Sequence, residues 1–393
     1  MRFGLDLPAH FRVFGAFFIY SLGLGGIFPR LAEIQAAIGA PQGAFGLALI
    51  GTAVGTLVSL TFASALLERL GHRVILGLIP LLALLYAIAS FATGPLALFL
   101  LLLPTGLTIG CIEIVINLEA DRVEHQMGHR IMNRAHGFWS LGFFVAGVIG
   151  AGFAQFGISP QLDLLIMVPV ILVGVLLLLG KFEPAPHRAT AVDAPANRFA
   201  SPTLGIMVLV VVTISAMILE GAGSDWSAIY MRDVFNAAPF VMGFAAAAGA
   251  MVQAITRFFA DGFVERFSPT GVARVLLSVQ GIGTLMVFFA PNDYVALVGL
   301  GVIGMGTSVI FPLAMSAAAQ RTDRPAVTNV AALAQISFVA FLLGPPLLGF
   351  VAQHFGVRWS FGVGIPLVVL SLLASGSLGR RPVAAVPAPI PGE

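Results

Sequence analysis

Charged residues are scarce in this chain: Asp, Glu, Lys and Arg make up 10% of its 393 residues, whereas 58% are hydrophobic. A soluble domain is usually about a quarter charged, so the composition excludes a water-soluble globular protein. The single cysteine, Cys111, excludes an internal disulfide and a cysteine-based metal centre. No GxxxxGK(S/T) phosphate-binding loop is present, which argues against ATP-driven chemistry. Histidines and acids do not cluster at metal-ligand spacing, so we expect neither a metal nor a cofactor.

Long apolar segments, by contrast, run through the whole chain. A helix needs about 20 mostly apolar residues to cross the hydrocarbon of a bilayer, and twelve segments meet this requirement. We therefore predict an all-α integral membrane protein with twelve transmembrane helices. The predicted spans are 11–30, 43–66, 74–92, 95–117, 135–156, 162–180, 203–222, 238–258, 272–290, 294–318, 327–352 and 357–378.

The positive charge is distributed unevenly between the loops. Of the 20 Lys and Arg residues, all but Arg30, Arg232 and Arg358 fall on one predicted face of the membrane. Cytoplasmic loops carry such an excess, so we expect both termini in the cytoplasm and the protein in a bacterial inner membrane. This bias also explains the positive net charge, so nucleic-acid binding need not be invoked.

A polar stretch divides the twelve spans into two sets of six. Residues 181–202 have the Pro, Ala and charge composition of a linker. We therefore predict an N-terminal half (1–180), this cytoplasmic linker, a C-terminal half (203–379) and a cytoplasmic tail (380–393). Two six-helix halves around a central loop are typical of major facilitator transporters, which bind substrate between the halves.

The loop between predicted spans 2 and 3 reads SALLERLGHR from Ser64 to Arg73. It resembles the signature loop of the major facilitator superfamily, although Glu68 replaces the usual Asp and His72 replaces one basic residue. A weaker copy lies at 261–266, between spans 8 and 9. We predict charge pairs across the half interface that break as the conformation changes; ordinary positive-inside residues are the alternative. The predicted gating residues are Glu68, Arg69, Arg73, Asp261, Glu265, Arg266 and, at the other face, Asp225.

An acid inside a span is the main functional candidate, because a charged side chain there costs several kcal/mol. Glu113 and Asn117 in span 4 lie four residues apart and share a helix face. Glu113 is the first choice for a proton-coupling site; a structural carboxyl paired with Arg134 is the alternative. Glu220, near the glycines that end span 7, is the second candidate, and these glycines are expected to break the helix. Asp225 is either part of an outer gate or an ordinary solvated acid.

Polar side chains in four other spans suggest a binding site for a small solute. Hydrogen bonds from amides and an imidazole, with ring stacking from an indole, suit a polyhydroxylated ligand. Arg257 shares a face with one of these amides and is interpreted as an arginine at a cytoplasmic helix end. The predicted substrate-binding residues are Asn117, Asn133, His136, Trp139, Gln253 and Gln335.

Spans 4 and 5 resemble the fucose permease branch of the superfamily, the sugar:proton symporters. The resemblance rests on GCIE at 110–113 with Asn117 and on NRAHGFWSLG at 133–142, and residues 311–312, 346 and 349–350 also fit. It implies a transporter and not an enzyme, acting as a monomer in proton-coupled uptake of a sugar-like solute. Glu113 then occupies the functional acid position of the family, and Asn133 matches another.

The sequence also departs from that branch. His136 and Trp139 stand where the family has a glutamine and an asparagine, and no acid precedes Glu33 in span 1. Two alternatives therefore remain open. One is a proton-driven exporter of drugs or metabolites on the same fold, since Phe and Met residues could line an apolar cavity. The other is a non-transporting sensor, in which the buried acids would have no purpose.

Overall fold

The computed structural model describes residues 4–128, 131–181, 183–185, 201–324 and 326–379. Within these ranges, the side chains of residues 64, 65, 68, 133, 261, 265, 326 and 327 are outside the described part. Most of the predicted linker and the whole predicted tail (380–393) also lie outside it. The described residues form helices and turns, and no strand.

Twelve helices are long and apolar enough to cross a membrane. This confirms the predicted fold class and the number of spans. We number them helices 1 to 12. Their bounds are Ala9–Ala37, Gln42–Phe62, His72–Ala89, Pro95–Met127, Arg134–Gln155, Pro160–Leu179, Leu204–Asp225, Pro239–Ala260, Pro269–Phe288, Asp293–Ala319, Thr328–Phe355 and Val357–Leu378.

An even number of crossings returns the chain to the face on which it started. We call the face that contains Ala9 and Leu378 the terminal face, and the other the opposite face. Helix 4 runs ten residues past its predicted end at 117, because the prediction stopped at the first charges whereas the helix continues beyond the apolar layer. A short helix, Ser227–Phe235, follows helix 7 at the opposite face.

Three spanning helices are broken near prolines, and one of them, helix 12, consists of Val357–Gly362, Gly364–Ala374 and a final 3-10 turn. Helix 1 consists of Ala9–Gly25, a 3-10 turn at Phe28–Arg30 and Leu31–Ala37. Helix 10 consists of Asp293–Thr307 and Ile310–Ala319. Proline has no N–H, so the carbonyl four residues earlier loses its helical donor; for Pro312 in helix 10 that carbonyl belongs to Ser308. By contrast, Pro345 and Pro346 lie inside helix 11 without interrupting it.

Small residues bring the helices into close contact. Gly55 and Gly106 let helices 2 and 4 approach until the backbones touch, as is common where membrane helices pack. The two six-helix sets contact each other mainly through helix 5 against helix 8 and helix 2 against helix 11. Gly147 lies against Ala247 in the first of these contacts. The helices on the two sides of the interface between the halves are therefore closely packed.

Hydrogen bonds join the two sets of helices at the opposite face. Nη2 of Arg232 donates to Oε1 of Gln35 over 2.7 Å, and its Nη1 donates to the carbonyl of Ala32. The backbone N–H of Gly43 donates to Oε1 of Gln353 over 3.0 Å. The opposite face is therefore closed in this conformation.

At the terminal face, Asp323 joins three helix ends in the C-terminal set. Its carboxylate accepts hydrogen bonds from Arg321 at the end of helix 10, from Asn329 at the start of helix 11 and from Thr203 before helix 7. The bonds from Arg321 and Asn329 lower the pKa of Asp323 to about 2. The carboxylate is therefore the form that holds these helix ends together.

Candidate functional site

A cavity of about 920 Å3 lies between the two sets of helices. Helices 1 to 5 line it from one side, and helices 7 and 11 line it from the other. It extends from Leu31 and Asp225 near the opposite face to Leu60 and Leu118 on the terminal side. Because the opposite face is closed by hydrogen bonds, the cavity extends away from that closure and toward the terminal face.

Glu113 lies in the wall of this cavity and is held by two neighbours. The hydroxyl of Tyr20 in helix 1 donates to Oε1 over 2.8 Å. Nδ2 of Asn117 donates to Oε2 over 2.9 Å and to the Glu113 carbonyl over 2.9 Å. The i,i+4 spacing places Asn117 one helical turn away on the same face. The carboxyl group is thereby fixed in one orientation toward the space between the halves, where it can hold or release a proton.

Two more acids reach the same cavity from helix 7. Glu220 and Asp225 both line it, as does Ser224, whose hydroxyl donates to the Glu220 carbonyl over 3.0 Å. The expected break at the glycines is wrong, because helix 7 runs unbroken through Gly221 and Gly223 to Asp225. The absence of a proline there leaves every backbone N–H able to donate, so the small residues alone do not open the helix.

Arg257 lies in the last turn of the spanning part of helix 8, Pro239–Ala260, at the helix end that the sequence suggested. Its Nε donates over 2.9 Å to the carbonyl of Ser308, the group that Pro312 leaves without a helical donor. It also interacts electrostatically with Glu220 and with His136. Arg257 therefore joins the broken helix 10 to the acidic wall. The signal that could have found it is the proline four residues after an unsatisfied carbonyl.

The other predicted binding residues are distributed unequally around the cavity. Trp139 lines it, with its ring stacked on Phe143 at a centroid distance of 5.5 Å. His136 does not line it and instead meets the edge of the Phe17 ring at 5.1 Å. Gln253 lines a smaller neighbouring cavity of about 60 Å3, which shares Trp139 and Glu220 with the larger one.

Two predicted binding residues remain. Gln335 is half-buried in helix 11 and is not among the residues that line either cavity. The side chain of Asn133 lies outside the described part of the chain.

The predicted gating residues of the terminal face are exposed where they are described. Arg69, Arg73 and Arg266 all have exposed side chains. The side chains of their predicted acidic partners, Glu68, Asp261 and Glu265, lie outside the described residues. The predicted pairs across the halves therefore stay predictions.

A buried pair that the sequence did not suggest lies beside the signature loop. Nδ1 of His72 is 2.6 Å from Oε2 of Glu119 in helix 4, and both side chains are buried. The other oxygen of Glu119 accepts from the backbone N–H of Ala185 over 2.7 Å. The contact thus connects the loop, helix 4 and the start of the predicted linker.

Arg30 is a second buried group that the sequence did not assign. It is fully buried, and its guanidinium donates to Asp163 over 2.7 Å, to Glu33 over 2.5 Å and to the carbonyl of Ile158 over 2.5 Å. These bonds fasten the bend of helix 1 to helix 6. The sequence offered one indication of this role, since Arg30 is an arginine on the predicted membrane face that carries little positive charge.

Comparisons with known proteins agree with this architecture. The model of the Major Facilitator Superfamily matches residues 208–393. An uncharacterized MFS-type transporter of Yersinia pestis is 27% identical, with 93% of this chain and 94% of that protein covered. An uncharacterized transporter of Sinorhizobium fredii, y4wD, is 28% identical, with 92% and 96% covered.

Solved structures share the fold at low sequence identity. The nucleoside transporter NupG superposes with a TM-score of 0.66 at 14% identity, covering 95% of this chain and 98% of that one. The E. coli fucose:proton symporter FucP superposes with a TM-score of 0.61 at 17% identity, covering 94% and 98%. With twelve spanning helices around a central cavity, a family-model match over residues 208–393 and relatives along nearly its whole length, the chain is similar to the transporters of the major facilitator superfamily.

Proposed function

We propose that this protein is a proton-coupled secondary transporter that moves a small solute by alternating access. The observation that carries the proposal is Glu113, a carboxyl group in the wall of the cavity between the halves. Residues 1–180 and 203–379 act as the two moving units, and the cavity binds the solute. With the termini in the cytoplasm, the conformation described above is closed to the outside and faces inward.

Glu113 is suited to the proton-coupling role by its position. A charged carboxylate within a membrane protein costs several kcal/mol unless it is paired or solvated, and the neighbours that touch it, Tyr20 and Asn117, are neutral hydrogen-bond donors. They support the carboxyl group without supplying a permanent positive charge. Proton loading then changes the net charge of the cavity, which makes reorientation of the halves depend on protonation.

The kind of solute follows from the site and from the proteins that share the fold. Trp139 and Asn117 line the cavity, and an indole ring with an amide suits a small polar molecule. The proteins that share the fold include a fucose:proton symporter and a nucleoside transporter. We therefore propose uptake of a small polar solute, a class that includes sugar-like compounds and small amines.

The test is proton movement in de-energised vesicles that contain the purified protein. Fucose, glucose, uridine, mannitol, lactate and an arylalkylamine are added in turn while the external pH is recorded. Symport predicts alkalinisation with one compound, and that signal is lost in Glu113→Gln. The matched control is Asp6→Asn, an exposed acid outside the cavity, which should keep the wild-type signal. Silence across the panel, with folded protein, would contradict proton-coupled uptake of these compounds.

A second candidate is proton-driven export from the same cavity. It is favoured by the aromatic and aliphatic side chains that form most of the lining, Phe338 and Phe341 among them. Such surfaces accept varied apolar molecules. Export predicts that cells expressing the protein resist a toxic substrate, and that Glu113→Gln removes the resistance.

A further inference from the structure

We propose that the solute bound in the cavity is a monovalent organic cation, namely a protonated amine attached to an aromatic or other apolar body. This inference rests on the proposed transport function and makes its substrate class specific. It follows from four features of the lining: its charge, its hydrogen-bond donors, an unpartnered hydroxyl and its aromatic faces.

The charge of the lining has one sign. Glu113, Glu220 and Asp225 line the cavity, and no Lys, Arg or His is among the described residues that line it. Arg257 lies behind the wall and interacts with Glu220, so it offsets one of the three acids. Glu113 touches only neutral donors. Fixed acids of this kind attract a cation and repel an anion.

Several neutral polar side chains of the lining already donate to the protein. The hydroxyl of Thr56 donates to the carbonyls of Thr52 and Gly106. Both Nδ2 hydrogens of Asn117 have acceptors on Glu113, and the hydroxyls of Tyr20 and Ser224 donate likewise. A sugar hydroxyl both donates and accepts, whereas an ammonium group only donates. At these side chains the cavity therefore offers acceptors, which suit an ammonium group.

One buried hydroxyl lacks a partner. Tyr86 is only 3% exposed and lines the cavity, yet its hydroxyl forms no hydrogen bond with any residue that the structure describes. The hydroxyl oxygen can therefore accept a hydrogen bond from a ligand in the cavity. Asp225 also lines the cavity. The phenol oxygen and the carboxylate each offer an acceptor to an ammonium group.

Aromatic rings provide the surface for the rest of the molecule. Trp139 and Phe143 stack on each other in the wall, and Phe28, Phe338 and Phe341 also line the cavity. A cation near the face of an aromatic ring is stabilised by the ring quadrupole, and an apolar body is stabilised by burial against the same surface. A volume of about 920 Å3 admits a bicyclic amine with room to spare.

The test is equilibrium binding of tritiated 2-(2-naphthyl)ethylamine to the whole protein in nanodiscs of zwitterionic lipid at pH 7. Its neutral alcohol analogue, its carboxylate analogue, fucose and uridine serve as competitors. We expect the alcohol to compete at least about tenfold more weakly than the unlabelled amine, because it lacks the charge. We expect Asp225→Asn to weaken amine binding at least about tenfold and Tyr86→Phe about threefold, whereas Asp6→Asn leaves it unchanged.

Several results would overturn the proposal. They are equal competition by the alcohol and the amine, full amine affinity in Asp225→Asn, and absence of amine binding to protein whose folding is confirmed by thermal unfolding. The proton assay on the same preparation separates the two claims. Amine binding without proton movement contradicts the proton coupling and keeps the substrate class. Proton movement with fucose or uridine, without amine binding, keeps the transport function and contradicts the substrate class.

Discussion

Replacing Arg232 with glutamine is expected to weaken the closure of the opposite face. Arg232 lies on the short helix after helix 7, and it reaches the other half through Gln35 and the carbonyl of Ala32. Its Nε also pairs with Asp233 over 2.7 Å, within its own half. Glutamine is shorter and uncharged, so the substitution removes both bonds that cross between the halves.

The magnitude follows from the number and kind of these bonds. A hydrogen bond that involves a charged group contributes about 1.5–3 kcal/mol. Arg232 is 27% exposed, so solvent weakens each bond, and the pair together contributes about 2–3 kcal/mol. That free energy corresponds to a roughly 30- to 150-fold change in the ratio of closed to open molecules. If the open state is populated at about 1% in the wild type, it becomes comparable with the closed state in the variant.

Distances between two spin labels report this change. Labels at Ala37→Cys and His354→Cys, both exposed near the opposite face, are placed on a Cys111→Ser background. We expect Arg232→Gln to add a longer distance to the distribution. The matched control is Arg358→Gln, because Arg358 donates to carbonyls of its own half, and this variant should keep the wild-type distribution. A distribution for Arg232→Gln that matches the wild type would refute the reasoning.

Three further predictions concern stability, measured by thermal unfolding in detergent. Hydrogen bonding, chiefly from Arg321, lowers the pKa of Asp323 to about 2. The Asp323 carboxylate therefore stabilises the fold above about pH 4, and this stabilisation disappears as the pH falls toward 2. The variant Asp323→Asn should lack this loss of stability in acid. Gly106→Ala would place a methyl group against the backbone of helix 2 and cost about 1–3 kcal/mol, whereas Gly77→Ala meets open space and should be neutral. Asp163→Asn leaves the buried guanidinium of Arg30 with the partly exposed Glu33 as its charged partner and should cost about 1–3 kcal/mol; an unchanged midpoint in any affected variant would contradict its structural reason.

The fold was predictable because hydrophobic length alone identifies a membrane span. All twelve predicted spans correspond to helices, and the errors fall at the ends. The break in helix 1 falls at Pro29, a residue that cannot donate a backbone hydrogen bond. The glycines of helix 7 led to the prediction of a break that is not present, since a glycine permits a break in a helix without requiring one.

The site was predictable only where the residues concerned lie in the same helix. Glu113 and Asn117 could be paired by their spacing along one helix, and the structure places them in contact. The partner from helix 1, Tyr20, depends on how two distant helices pack, which spacing cannot supply. The hydrogen bond of Arg257 could not be predicted either, because its acceptor is a carbonyl freed by a proline in another helix.

The most direct test of the account is to compare accumulation with exchange in vesicles containing either wild-type protein or Glu113→Gln. The solute is the compound that moves protons in the wild type, and an imposed pH gradient is the only driving force. We predict that the wild type accumulates the solute, and that Glu113→Gln loses accumulation but still exchanges labelled for unlabelled solute. Normal accumulation by the variant would contradict the assignment of Glu113 as the proton-coupling residue.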